Sequence, residues 1–176
     1  MANPKNTREN ILEMLASNGF ANLVDGQVVH VSRQEQLNRA FQIACECGYL
    51  DLVRKLHRDG AKIHGNPDAL CTAADFDELE IAEYLIDNGA DVNAPAKQLG
   101  QTPLMDAAGS ASLRVLRYLL ERGADASAKC DDGMTALDWA KMGRHTAALP
   151  EMPTADGVIN DYDTIIATLT SSEIAG

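Results

Sequence analysis

Leu113, Leu116, Leu119 and Leu120 fall at helical spacing with Arg114, Arg117 and Tyr118 between them, so this stretch predicts a helix with one apolar stripe. The same stripe recurs in Leu79-Glu80-Ile81-Ala82-Glu83-Tyr84-Leu85-Ile86 and in Leu50-Asp51-Leu52-Val53. Ahead of each stripe lies a smaller-residue segment marked by Ala44, Ala73 or Ala107, and a fourth such segment carries Ala140. These alanines are 29, 34 and 33 residues apart, and the glycines that follow the stripes, Gly60, Gly89 and Gly123, are 29 and 34 apart. Self-similarity at such a period marks stacked supersecondary units. The pattern predicts helices over 7–18, 33–47, 50–58, 68–75, 79–87, 102–109, 113–121, 135–143 and 160–170, with sheet limited to short hairpins and to Val28–Val31.

The clearest copy shows the physics of one unit. Thr102 can cap a helix whose first turn holds Pro103, where a missing N–H costs nothing. Ala107 and Ala108 let a neighbouring helix approach closely, and Gly123 supplies the left-handed residue that stops the second helix. Each unit is then two short antiparallel helices followed by an extended polar finger. One such pair cannot bury its apolar face alone, so the units must stack.

Thr102-Pro103-Leu104-Met105-Asp106-Ala107-Ala108, followed by the Leu113–Leu120 helix and Gly123-Ala124-Asp125, resembles the ankyrin repeat. The second copy keeps Ala73-Ala74 and Asn88-Gly89-Ala90-Asp91-Val92-Asn93, with its opening drifted to Asp68-Ala69-Leu70-Cys71. The first keeps Ala44-Cys45 and Asp59-Gly60-Ala61. The fourth opens well at Thr135-Ala136-Leu137-Asp138-Trp139-Ala140, then loses the pattern; Leu149–Gly157 reads as an insertion and Asp161–Thr170 as a displaced second helix. Thr7–Gly19 resembles a lone second helix, a half-repeat cap. The resemblance implies an all-α solenoid of stacked antiparallel helix pairs with short hairpin fingers, right-handed and monomeric. Its expected divisions are an N-terminal cap over 1–32, repeats over 33–63, 64–96 and 97–129, and a degenerate capping repeat over 130–176.

Finger lengths differ. Gly123 to Thr135 takes 12 residues and Gly89 to Thr102 takes 13, but Gly60 to Asp68 takes only 8, with His64-Gly65-Asn66-Pro67 as a tight turn. Gly19 to Arg39 takes 20 and contains Val28-Val29-His30-Val31, a short strand or an ordered loop. Two readings stand: loop-length drift, which costs little, or a shortened finger that opens the concave face beside the second unit while the long N-terminal loop reaches a partner.

Charge narrows the choice of partner. The net charge is −11, with −8 over residues 59–96, −6 over 130–176 and +3 over the rest. Nucleic acid and anionic membrane are disfavoured, because both are held by Lys and Arg; a basic protein surface is favoured through steering, beside the plainer reading of an acidic, soluble protein. There is no apolar run long enough to span a bilayer, and the N-terminal stretch lacks a signal-peptide core. Cys45, Cys47, Cys71 and Cys130 show no disulfide or zinc spacing, so a reducing, cytoplasmic location is expected. Cys45-x-Cys47 is a weak metal hint against packed helix thiols.

Catalytic signatures are missing. The chain has no phosphate-binding glycine loop, no G-x-S-x-G and no H-E-x-x-H. His30, His57, His64 and His145 scatter over different units, and His57 reads as a surface or snorkelling residue. Asp131-Asp132 could meet a cation or close a turn, and Trp139 reads as a seam residue first and a stacking surface second. No cofactor and no metal is expected, and no enzyme activity.

What the resemblance implies about function is protein binding without catalytic residues, through finger tips and exposed positions of each first helix. On this chain those are Glu35, Asn38, Glu46 and Cys47; His64, Pro67, Asp75 and Phe76; Gln98, Leu99, Gln101, Gly109 and Ser110; and Asp131, Asp132, Met134 and Met142. Phe76 between Asp75 and Asp77-Glu78 has the layout of an apolar anchor in a charged rim, or it folds back over the turn. The expected interface lies on the concave side, centred on Phe76 and Leu99. The alternative is a small acidic inhibitor or immunity-type protein that neutralises a basic toxin or nucleic-acid enzyme. Leu85 to Asn93 is also similar to ankyrin segments hydroxylated on Asn in animal cells; the same Asn has a plain role in bonding the finger turn.

Overall fold

The computed structural model describes residues 32–96, 99–148 and 156–175, together with Glu9, 21–24 and 27–30. Strands β1 (Ala21–Val24) and β2 (Gln27–His30) pair antiparallel, with Ala21 opposite His30 and Val24 opposite Gln27. The strand expected near Val28–Val31 is therefore one half of a hairpin. The expected helix over 7–18 falls outside the described residues apart from Glu9, which is helical.

Eight helices follow among the described residues: α1 (Arg33–Glu46), α2 (Leu50–Arg58), α3 (Pro67–Asp75), α4 (Leu79–Asp87), α5 (Pro103–Gly109), α6 (Leu113–Glu121), α7 (Ala136–Ala147) and α8 (Asp156–Ala175). Each odd-numbered helix packs on the even-numbered helix after it. The odd helices also pack side by side as one layer, α1 on α3 on α5 on α7, and the even helices as a second, α2 on α4 on α6 on α8. This is the stacked all-α architecture that the repeat register predicts.

The reason lies in side-chain size. Ala44, Ala73, Ala74, Ala107, Ala108 and Ala140 have no exposed surface, so the first layer approaches its neighbours through methyl groups. Larger residues fill the space between layers: Leu52, Val53 and Leu56 from α2, Ile81 and Leu85 from α4, Val115, Leu116 and Leu119 from α6, and Ile165 and Leu169 from α8. Each stripe buries one face only, and stacking makes the core continuous.

The helix ends follow the sequence in most places. Thr135 caps α7 in a reciprocal box: its N–H donates to Asp138 Oδ2 at 3.0 Å, while Asp138 N–H faces Thr135 Oγ1 at 3.4 Å. Thr102 takes the N-cap position of α5 with its N–H turned to Met105 Sδ at 3.4 Å. The turn between first and second helix holds a left-handed residue at one repeated slot, occupied by Gly48 (φ 72°), Asp77 (φ 54°) and Ala111 (φ 59°). The last helix corrects one expectation. It begins at Asp156, so Gly157 is helical and not part of a loop, and it continues past Thr170 to Ala175. Residues 149–155 of the expected insertion lie outside the described residues.

A concave groove between the first helices of each pair

Main-chain hydrogen bonds close the fingers. Ala96 N–H donates to Gln101 O at 2.7 Å in one, and Cys130 N–H to Met134 O at 3.1 Å in the next. Asp131 N–H then reaches Leu99 O at 3.0 Å, which fastens the two fingers together. The segment after Gly60 closes over a shorter span. Ala61 and Ile63 are buried, Asn66 N–H closes on Ile63 O at 3.1 Å, and the chain enters α3 at Pro67. The shortened finger is thus a tight turn, as its length requires.

Along the first helices runs a groove of about 620 Å³, floored by α3 and α5 and walled by α1 and α7. Asp68 and Asp75 from α3 and Asp106 from α5 contribute carboxylates to it, with Gln42, Thr72, Gln101 and Ser110 as polar neighbours and Trp139 as an aromatic wall. The described residues lining it include no Lys or Arg. Burial pushes the Asp106 carboxyl up to about 6, the bond from Cys71 pulling it partly back and the nearby Asp75 charge adding to the rise. Burial first, then the Asp106 charge, also drives the Cys71 thiol far above its ordinary range. Cys45 shifts the same way through burial, so these thiols are packed hydrophobes and not nucleophiles. Among the described residues no group of three or more His, Cys, Asp or Glu could hold a metal ion.

Of the expected interface residues, Asp75, Gln101, Ser110 and Gly109 line this groove. Phe76 and Leu99 do not, and they are not neighbours. Helices α3 and α5 lie side by side in one direction, with Cys71 facing Gln101 and Asp75 facing Ser110. Phe76 follows the C-terminal end of α3, whereas Leu99 precedes the N-terminal end of α5. Both are half exposed, at 50% and 53%, but they stand at opposite ends of the layer. A single face centred on both is therefore corrected to two separate edges.

The rim of acids is corrected too. Ser110 Oγ–H donates to Asp75 Oδ1. Val115 N–H donates to Asp77 Oδ1 at 3.1 Å. Glu78 lies so tightly on Gly48 that a methyl there would meet its Oε1 at 2.6 Å; burial raises its pKa, with a further push from Glu80. These side chains join one pair of helices to the next.

Several other expected positions also have internal work. Glu35 closes a capping box with Ser32, whose hydroxyl and N–H hold its carboxyl below the usual range. Asn38 Oδ1 accepts from Lys62 N–H at 3.2 Å. The His64 ring covers Gly89, 2.7 Å from where a methyl would sit, and Asp131 covers Gly100 in the same way. Pro67 is the first residue of α3, and Met134 packs on the core. Glu46 and Asp132 are exposed, Cys47 is half-buried, and Gln98 is outside the described residues. Met142 is 43% exposed, on α7. His57 is not a free surface group: its Nδ1 lies 2.8 Å from Tyr84 Oη, with the two rings edge to face. Trp139 packs on the core as expected, its Nε1 buried with no partner among the described residues. Asn93 bonds the following turn, with Nδ2 donating to Gly123 O at 3.3 Å and Oδ1 accepting from Asp125 N–H at 2.8 Å.

Sequence reasoning missed Thr72, Asp106 and Trp139 as groove residues. They occupy one slot of the repeat, the variable position before the paired small residues in Thr102–Ala108 and its copies. That shared slot was the available signal.

A family model described as ankyrin repeats, in three copies, matches residues 5–96, 41–130 and 70–149. The chain is similar to an ankyrin repeat and KH domain-containing protein of Caenorhabditis briggsae, 43% identical over 63 residues, which is 34% of this chain and 2% of that protein. It is also similar to the ankyrin repeat and KH domain-containing protein mask-1 of Caenorhabditis elegans, 30% identical over 135 residues, 74% of this chain and 5% of that protein. The chain thus spans a small fraction of the length of the curated relatives it matches. Among the described residues no helix is long and apolar enough to cross a membrane. Ankyrin repeats generally mediate protein–protein interaction and are typically non-enzymatic. With its matched repeats covering most of its length, the chain belongs to the ankyrin-repeat family.

Proposed function

We propose that this chain is a monomeric binding module that holds a basic segment of a protein partner in its concave groove. One observation carries the reading: three carboxylates, Asp68, Asp75 and Asp106, face a groove whose described lining offers no Lys or Arg. A cationic side chain entering there supplies the charge that the groove lacks. Asp106, held near 6 by burial, would return toward its ordinary value as the cation binds. The net charge of −11 adds long-range steering of such a partner. The expected division into a cap over 1–32, three repeats and a capping repeat over 130–176 fits this use, since the groove is built from all four first helices.

The test is capture from native lysate on the immobilised chain, beside a version carrying Asp68→Asn and Asp106→Asn. The reading expects a basic protein that is retained by the native chain, released by salt and lost from the double variant. Partners held equally by both versions at all salt concentrations would place the interface elsewhere.

A further inference from the structure

Trp139 borders two cavities, not one. On one side is the acidic groove; on the other is a pocket of about 350 Å³ between α7 and α8, bounded by Met142, Gly143, Thr146, Val158 and Tyr162. Its lining is almost wholly carbon, and no charged side chain borders it among the described residues. Its volume lies in the range of pockets that take ligands or anchoring side chains. The pocket is also firmly built. Tyr162 Oη–H donates to Gly109 O, and a methyl on Gly143 would lie 2.5 Å from Gly109 O and 2.6 Å from Tyr162 Oη. Gly143 therefore lets α7, α5 and α8 meet at one point, and Met142 stands half open at the edge.

We propose that the partner segment is bipartite: an Arg or Lys pair for the groove, followed or preceded on the same extended strand by one bulky aliphatic or aromatic residue that enters the Trp139–Tyr162 pocket. This rests on the groove being the binding face. Two complementary chemistries meet at one indole. The groove accepts cations and repels acids; the pocket accepts apolar groups and excludes charge, which would be left without a partner there. The part of the half-buried indole that borders both cavities suits the aliphatic stem or the head of an Arg, through packing and cation–π attraction. A segment that crosses Trp139 thus meets both sites. A purely basic segment leaves the apolar pocket wet, and a purely apolar one gains nothing from the groove carboxylates.

Trp139 is the sole tryptophan of the chain, so its emission reports directly on both sites. The probes are synthetic dodecapeptides with an Arg pair separated from one Leu by one to six glycines, in both orders, with Leu→Ser and Arg→Gln versions of each. Indole emission gives the affinity. At one spacing the Arg-and-Leu peptide is expected to bind at least tenfold tighter than its Leu→Ser version. Met142→Glu in the protein should erase that tenfold while keeping the response to arginine. Asp68→Asn with Asp106→Asn should erase the arginine response while keeping the response to leucine. Circular dichroism confirms that each variant is folded. If Leu→Ser changes nothing at any spacing, the bipartite inference is wrong and the basic-groove reading stands. If affinity follows leucine alone and ignores the groove acids, an apolar occupant holds the pocket, and both readings fail. If no peptide alters the emission at millimolar concentration, the bipartite inference is likewise overturned, and the lysate capture with the groove variant judges the groove separately.

Discussion

Val115 N–H, near the start of α6, donates to Asp77 Oδ1 at 3.1 Å, from the turn that ends the previous first helix. The acid caps a helix in the next repeat while taking a left-handed backbone itself, at φ 54°. A carboxylate at a helix N-terminus satisfies an orphan N–H and meets the positive end of the dipole. Asp77→Ala loses both the cap and the residue type that tolerates that backbone, and should cost about 1–2 kcal/mol. Asp77→Asn keeps an acceptor and the turn, and should cost less than half as much. Urea denaturation measures both, and faster hydrogen exchange at the Val115 amide in the Ala variant alone would locate the loss.

Ala111 occupies the same slot one repeat later, at φ 59°, without a side chain that can bond to the backbone. Ala111→Gly removes that strain, and part of the gain is offset by the larger entropy of the unfolded glycine. The net expectation is a stabilisation of about 0.5–1 kcal/mol, seen as a higher denaturation midpoint with an unchanged slope. A lower midpoint would show that the turn is relaxed as it stands.

Leu116 lies on α6 with no exposed surface. Leu116→Ala should cost about 2–5 kcal/mol, by lost burial and the cavity left behind. Because units in a stack lean on their neighbours, protection should fall in α4 and α8 as well as in α6. Hydrogen exchange by mass spectrometry resolves this; a loss confined to α6 would contradict neighbour coupling.

Asp106 gives a pH dependence of definite sign. Its folded pKa of about 6 lies above its ordinary 3.8, so the fold favours the protonated acid. That contribution is fully present below pH 3.8 and is lost as pH rises through about 6. Asp106→Asn should therefore match the native chain below pH 3.8 and exceed it by about 3 kcal/mol well above pH 6. Glu35, Asp125, Asp138 and Asp163 are shifted downward by their hydrogen bonds and act in the opposite sense at more acid pH, in both versions. Thermal melts of the pair across pH 4 to 7 isolate the Asp106 difference.

The helix pairs were readable because two local signals mark them. Leucine spacing sets the buried face, and a glycine such as Gly123, at φ 86°, stops the second helix. The site was less readable because its geometry is set between repeats. Asp75, Asp77 and Glu78 look like a solvent-facing acid run around Phe76, yet each touches a residue roughly thirty or more positions away: Ser110, Val115 and Gly48. Phe76 and Leu99 share the property of exposure, but a whole helix length separates their ends of the layer. Conversely, Thr72, Asp106 and Trp139 are chemically unlike and far apart in sequence, and only their common slot in the repeat places them in one groove. The ends of α8 escaped because Gly157 and Ser171-Ser172 are weak helix formers, whereas Tyr162, Ile165 and Leu169 keep helical spacing inside the expected 160–170.

The Asn93 side chain joins its repeat to the next through hydrogen bonds to main-chain atoms, the carbonyl of Gly123 and the N–H of Asp125. Such a joint is blind to which side chains follow it. A copy spliced in behind Asn93 by recombination would find the same latch waiting, provided that its backbone turned at a glycine. At this one contact a new copy need match only in its backbone, whereas the Asp75–Ser110 bond across the same seam asks for a matching side chain.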